Sequence, residues 1–407
     1  MKTEVEPSEV GFDAARLRRL DRHFGAYVDD GRLAGWQLVV TRGGKVAHAS
    51  TYGLRDREAG APVEPDTLWR VYSMTKPITS VAAMTLWEEG RFQLTDEISR
   101  WLPEFADLRV YHKGSALAPH TTPAVEPIRV WHLLTHTAGL TYGFMNVSVV
   151  DALYRAAGYD LHPPPDADLA TACRAWARLP LLFQPGHGWG YSVATDVLGR
   201  LVEIVSGQDL HQFIAERVLT PLGMTDARWW VDEADAHRLA ALYQADPATG
   251  AATRAAGLGD RALAPPRLVS GGGGLVCTAA DYHRFTQMLL RGGEHDGVRV
   301  LGRRTVALMT RNHLPGGQDL QSLNAGGFAE TVLDGVGFGL GFAVVLDPTP
   351  ARLPTSVGEY HWGGIASTAF WVDPAEEITA MWFTQLVPSS TYPIRPQLRQ
   401  LVYSALI

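Results

Sequence analysis

Val71-Tyr72-Ser73-Met74-Thr75-Lys76-Pro77 is the stretch that decides how this chain folds. The apolar residues Ile78, Val81, Ala82 and Leu86 follow it at helical spacing, and Gly90 closes the run as a C-terminal cap. Pro77 bounds the start. Proline has no N–H and clashes one turn back, so it is tolerated only in a first turn. Ser73 is therefore expected at the helix N-terminus, with Lys76 one turn later on the same face. A serine hydroxyl is a poor nucleophile until a base takes its proton. An amine three residues on can do so where burial and neighbouring charge favour its neutral form. The helix start also aims free N–H groups at developing negative charge. The bland alternative is a capped helix start with a solvated lysine.

Working outward, a helix is expected from about Ser8 to Asp30, where Phe12, Leu17, Leu20, Phe24 and Val28 recur at helical spacing. Strand-like runs cover 36–41 and 45–52, joined by the turn Arg42-Gly43-Gly44. Four more lie near the other end, at 338–346, 359–362, 366–372 and 378–384, before a helical stretch from Pro393 to Ile407. The middle, from about Met74 to Thr310, reads as mostly helical, with Pro- and Gly-rich loops at 116–127 and 159–166; 312–336 reads as a loop. Strands at both ends with helices between imply an α/β (α+β) fold. An antiparallel sheet, flanked by the terminal helices, comes from 1–72 and 311–407, and a mostly helical lobe from 73–310 carries the serine helix at the interface.

The chain of 407 residues is 46% hydrophobic and 19% charged, enough for a large packed core. A net charge of -7 gives no basic footprint for nucleic acid or an anionic membrane. No stretch has the length and apolarity of a membrane helix, and the first twenty residues lack the apolar core of a secretory signal, so a cytoplasmic protein is expected. Cys173 and Cys277 are too few for a disulfide framework and are expected to be buried thiols. No H-E-x-x-H, G-x-S-x-G or phosphate-binding glycine pattern occurs, so no metal or organic cofactor is implied.

Two further segments join the serine helix. Gln184-Pro185-Gly186-His187-Gly188-Trp189-Gly190 is a tight loop that delivers Tyr191 to a helix start marked by Val197, Leu198, Leu201 and Val202. A phenol there can relay a proton; the bland alternative is an interfacial tyrosine. Glu359-Tyr360-His361-Trp362-Gly363-Gly364 ends a strand in two glycines, which allow close approach to backbone. The N–H groups of Gly364 and Ser73 are the expected oxyanion hole. His136 is expected to be structural, and Trp189, Trp229, Trp230 and Trp362 to lie near the cleft.

Ser73-Met74-Thr75-Lys76, Tyr191-Ser192-Val193 and His361-Trp362-Gly363 resemble, in order, the S-x-x-K, Y-x-N and K-T-G elements of serine β-lactamases and penicillin-binding proteins. Trp131 to Leu140 and Ser270 to Leu275 also resemble stretches of that superfamily. The resemblance implies Ser73 as nucleophile, Lys76 and Tyr191 as its proton-handling partners, and a two-lobed fold with the cleft between lobes. The departures carry the functional reading. Val193 stands where an asparagine amide assists β-lactam chemistry, and His361-Trp362 replaces the pair that binds the β-lactam carboxylate. A W-G-G element with these partners is similar to family VIII carboxylesterases and to related acyltransferases. The expected activity is hydrolysis of short-chain or aromatic esters, with His361, Trp362, Gly363 and Val193 as substrate contacts and a small-molecule ester as the partner. β-Lactam or D-Ala-D-Ala peptide hydrolysis, acyl transfer to a small acceptor and non-catalytic ligand binding are the rival readings.

Overall fold

In the computed structural model, residues 1–324, 327–328 and 332–407 are described. Eight strands form the main sheet: β1 Gly35–Arg42, β2 Lys45–Asp56, β3 Ala61–Pro62, β4 Val336–Phe338, β5 Ala343–Val345, β6 Tyr360–Gly363, β7 Ala369–Asp373 and β8 Ile378–Phe383. Their spatial order is β4-β5-β6-β7-β8-β1-β2-β3 with every pair antiparallel. The two chain ends thus share one sheet, joined where β8 pairs with β1. The helices that matter for the site are α1 Ala14–Asp29, α2 Thr75–Glu88, α3 Ala194–Ser206, α4 Ala279–Leu290 and α5 Ile394–Tyr403.

Alternation along the strands sorts the core into two layers. Trp36, Leu38, Val40, Trp371 and Trp382 face one way and pack with Leu17, Phe24 and Leu398 of α1 and α5. Val39, Phe370, Met381 and Phe383 face the other way, onto Met74, Ile78 and the α4 residues Tyr282 and Phe285. Helix α2 is buried on all sides from Thr75 to Leu86. Its sequence mixes Ala, Val, Ile and Thr around the whole circumference, as expected of a helix enclosed between a sheet and other helices.

Several details depart from the sequence-based expectation. The run 338–346 is two strands, because Gly341 at φ +103° turns the chain between β4 and β5. The strand expected from Ala366 begins at Ala369, since residues 364–367 make a turn with Ser367 at φ +65°. The loop expected at 116–127 contains a strand, Ala118–Pro123, hairpinned to Arg109–Ser115. Both strands are largely exposed, so no apolar alternation marked them. Within 312–336 the chain makes a helical turn at Leu320–Leu323; residues 325, 326 and 329–331 of that expected loop lie outside the described residues.

Candidate active site

Ser73 sits in a 3-10 turn, Tyr72–Met74, that runs directly into α2. Tyr72 before it is held at φ +45°, a left-handed conformation that costs a bulky residue energy and is maintained only by dense surroundings. Gly364 supplies part of that density: a Cβ there would strike the Val71 carbonyl and approach the Tyr72 side chain. Gly363 is equally constrained, since a Cβ would collide with the Arg395 guanidinium. Gly364 thus lets β6 close down on the turn that carries Ser73, while Gly363 leaves room for Arg395.

Lys76 is buried, and its Nζ donates to Ser73 Oγ at 3.2 Å and to the Gly272 carbonyl at 2.6 Å. The same ammonium lies 4.5 Å from the ring centre of Tyr191, within cation–π range. Tyr191 is buried among aromatic rings: Phe328 at 4.6 Å, His136 at 5.0 Å and Trp362 at 5.3 Å between centroids. Trp362 Nε1 donates to Tyr191 Oη at 3.4 Å. The structure therefore brings Ser73, Lys76, Tyr191 and Trp362 together. His136, at φ +57°, contacts Ser192 Oγ through Nδ1 at 3.2 Å and backs the Tyr191 ring; burial, then the Lys76 charge, holds its pKa well below the usual histidine value.

Three of the expected site features have other partners in the structure. The Gly364 N–H already donates to the Thr368 carbonyl at 3.0 Å, closing the turn after β6, and one hydrogen cannot also serve an oxyanion. The next residue, Ile365, borders the same cavity as Ser73. His361 points to the other face of β6. Its Nδ1 lies 3.2 Å from Glu359 Oε1, and Glu359 also receives Arg399 and Tyr403 of α5 at 2.9 Å each. Burial alone would raise the Glu359 pKa, but Arg399 and His361 outweigh it and draw it down to about 2. Finally, Trp189 is fully buried behind Tyr191, and Trp230 packs on His211, so of the four tryptophans Trp229 and Trp362 border cavities.

Two cavities flank the centre. One, of about 10 Å³, lies between Tyr191, Phe328, His361, Trp362, Gly363 and Arg395. The other, of about 530 Å³, opens over Ser73 and is bordered by Tyr142, Val193, Asp196 and Trp229. Among the described residues its lining does not include His361, Trp362 or Gly363.

Sequence reasoning missed Asp196 and Tyr142. Asp196 is buried and accepts from Ser270 Oγ at 2.7 Å and from the Gly272 N–H at 3.0 Å, so it holds the loop whose carbonyl receives Lys76. Burial raises its pKa; the Ser270 hydrogen bond and the Lys76 charge oppose that. A carboxylate at the start of α3, among the apolar residues Val193, Ala194, Val197 and Leu198, was the available signal. Tyr142 lies 5.4 Å from Tyr191 between ring centres, and burial, then Asp196 and Tyr191, raises its pKa well above the usual phenol value. Nothing in its local sequence marked it.

A serine within hydrogen-bond reach of a buried lysine, with a tyrosine ring against that lysine, between a sheet and a helical layer, defines the serine acyl-enzyme class. The chain belongs to the Beta-lactamase family, whose model matches residues 20–404. It is 34% identical to Esterase EstB of Burkholderia gladioli, over 98% of each chain. It is 38% identical to Protein Rv1367c of Mycobacterium tuberculosis (strain ATCC 25618 / H37Rv), over 88% of each. The solved structure of EstCE1, described as a hydrolase with promiscuous acyltransferase activity, superposes with a TM-score of 0.79 at 30% identity, covering 96% of this chain and 98% of that one.

Proposed function

We propose that the protein is a serine carboxylesterase of the family VIII kind that hydrolyses short-chain or aromatic esters through an acyl-enzyme on Ser73. The observation that carries this reading is the 3.2 Å contact between Lys76 Nζ and Ser73 Oγ at the start of a buried helix. As the bond between Ser73 Oγ and the ester carbonyl carbon forms, Lys76, acting as the neutral amine, takes the hydroxyl proton. The carbonyl electrons collect on oxygen, facing the N–H groups of Ser73 and Ile365. As the carbon–oxygen bond to the alcohol breaks, Tyr191 and Lys76 pass that proton to the leaving oxygen. Water then adds to the acyl carbon, and the acid departs as Ser73 regains its hydrogen. Val193 borders the substrate, Trp362 shapes the site through Tyr191, and Gly363 leaves room for Arg395 beside it.

The chain divides, on this reading, into an α/β lobe of 1–72 and 311–407 and a helical lobe of 73–310, with Ser73 at their junction. Acyl transfer is the second reading, supported by the activity described for EstCE1; it differs only in what accepts the acyl group. The buried thiols Cys173 and Cys277 fit a cytoplasmic setting. Among the described residues, no helix is long and apolar enough to cross a membrane. The test is a parallel assay of an aryl acetate, an aryl butyrate and a chromogenic cephalosporin, with and without an alcohol acceptor. Ester turnover well above cephalosporin turnover is expected; equal turnover overturns the esterase reading, and product appearing mainly as the transferred ester moves it to acyl transfer.

A further inference from the structure

The large cavity is out of proportion to a short acyl chain. About 530 Å³ of space adjoins Ser73, a size that in general takes a drug-sized ligand, whereas an acetyl or butyryl group would leave most of it to solvent. Its walls are aromatic and held in place. Tyr142 and Phe144 stack at 4.7 Å with their planes 25° apart. Tyr159 meets Trp176 edge-on at 5.5 Å, and the Trp229 indole is anchored by a hydrogen bond to the Ser270 carbonyl at 2.8 Å. All five rings border the cavity. Two loops close its outer end, one carrying Pro163-Pro164-Pro165 and the other Pro265-Pro266. Proline fixes φ, so both rims lose little freedom when something binds. Flat ring walls and stiff rims favour a flat, rigid, apolar guest, because ring contacts add to area burial.

The placement of the proton-handling groups decides which half of the ester this guest is. The leaving alcohol must face Tyr191 and Lys76, neither of which lines the 530 Å³ cavity; Tyr191 borders the 10 Å³ one beside Trp362. The 530 Å³ cavity extends from Ser73 past Tyr142 and Val193. The half that stays bonded to Ser73 Oγ is the one that can occupy it. We infer that this cavity holds a bulky aromatic acyl group, so that the preferred substrates are esters of polycyclic or aryl carboxylic acids rather than acetates. The inference rests on the acyl-enzyme reading above.

The experiment compares 4-nitrophenyl esters of acetic and 2-naphthoic acids, which vary the acyl group, with 2-naphthyl acetate, which varies the alcohol. Each kcat/KM is divided by that ester's own rate of alkaline hydrolysis. The proteins are wild type, Ala264→Trp and Leu161→Trp; both substitutions fill the cavity from exposed rim positions on opposite loops. In the wild type the naphthoate is expected to exceed the acetate by at least about tenfold, and in either variant the naphthoate-to-acetate ratio should fall about tenfold or more. The ratio of 2-naphthyl acetate to 4-nitrophenyl acetate should hold. A naphthoate-to-acetate ratio unmoved in both variants, or a change confined to the alcohol pair, overturns the inference while leaving the esterase reading standing. No turnover of any ester, together with failure of a fluorophosphonate to label Ser73, removes both.

Discussion

The two sides of Ser73 are built differently. Toward Tyr191 the space is about 10 Å³ and the rings of Phe328, Trp362 and His136 enclose the phenol. Toward Tyr142 and Val193 it is about 530 Å³ and ends in loops. The closed side rests on regular structure, β6 and the start of α3, so its groups hold one geometry; the open side is bounded at its far end by 159–167 and 258–268, where sequence can change without disturbing the sheet. Proton transfer needs fixed distances, and substrate choice needs room. Substitutions on the closed side should therefore reach kcat or stability, and those on the open side the choice among esters.

The largest effect belongs to the groups around Ser73. Lys76→Ala and Tyr191→Phe should each lower kcat by about 10²- to 10⁴-fold, the range for a positioned acid or base. The double variant should be little worse than either, since residues acting as a unit are not additive. Steady-state kinetics on the three proteins decide this, and losses that multiply would show that Lys76 and Tyr191 act independently.

Next comes the support behind the closed side. Glu359 is fully buried and receives Arg399 twice, at 2.9 and 3.1 Å, as well as Tyr403. Glu359→Gln leaves the Arg399 charge without its counter-charge and should cost about 3–5 kcal/mol in urea denaturation at neutral pH. The pH dependence follows from the lowered pKa. Below the ordinary glutamate range the unfolded chain binds a proton that the folded state still refuses. The contribution is thus complete above about pH 4.5 and is lost as pH falls toward about 2. Wild type and Glu359→Gln should converge in stability over that interval. A constant gap would show that packing, not charge, is what Glu359 supplies.

A smaller effect is expected at Trp362, which touches Tyr191 rather than the large cavity. Trp362→Thr removes ring contacts worth about 1 kcal/mol, so kcat for aryl esters should fall by about fivefold to tenfold with KM little changed. The variant should gain no cephalosporinase activity, because Val193 still offers no amide. A rise in KM alone would place Trp362 against the substrate instead.

The last effect lies away from the site and reaches stability rather than turnover. Burial and neighbouring Asp226 raise Asp281 to about 7, so the folded state holds a proton that the unfolded chain releases near pH 4. That group's contribution is greatest at low pH and declines as pH rises from about 4 to 7. In Asp281→Asn this decline should vanish from a plot of Tm against pH. Parallel curves for the two proteins would mean that Asp281 does not titrate in that window.

How much of this was legible in the sequence follows from what kind of signal each part leaves. The serine turn, α2, and strands β1, β6, β7 and β8 were readable because periodicity and proline or glycine punctuation are local. Ser73, Lys76 and Tyr191 stood out because spacing and order carry their chemistry. The partner of the Gly364 N–H was not legible, since it depends on Ser367 taking a positive φ and folding Thr368 back onto it. The side that His361 faces was not legible for a related reason: strand alternation sends it opposite to Trp362, and only Glu359, Arg399 and Tyr403 reveal what that face holds. The large cavity left no signal, because its walls come from 142–144, 159–176, 229 and 258–275, brought together by the fold alone.

The measurement that bears most directly on the central claim is the intact mass of the protein, acid-quenched during turnover of an aryl ester, followed by peptide mapping. One acyl group on the peptide that contains Ser73 is expected, together with loss of both adduct and turnover in a folded Ser73→Ala variant. Its fold should survive, since a helix-start serine contributes only about 1 kcal/mol. An adduct on another residue, or a Ser73→Ala protein that still hydrolyses the ester, would contradict it.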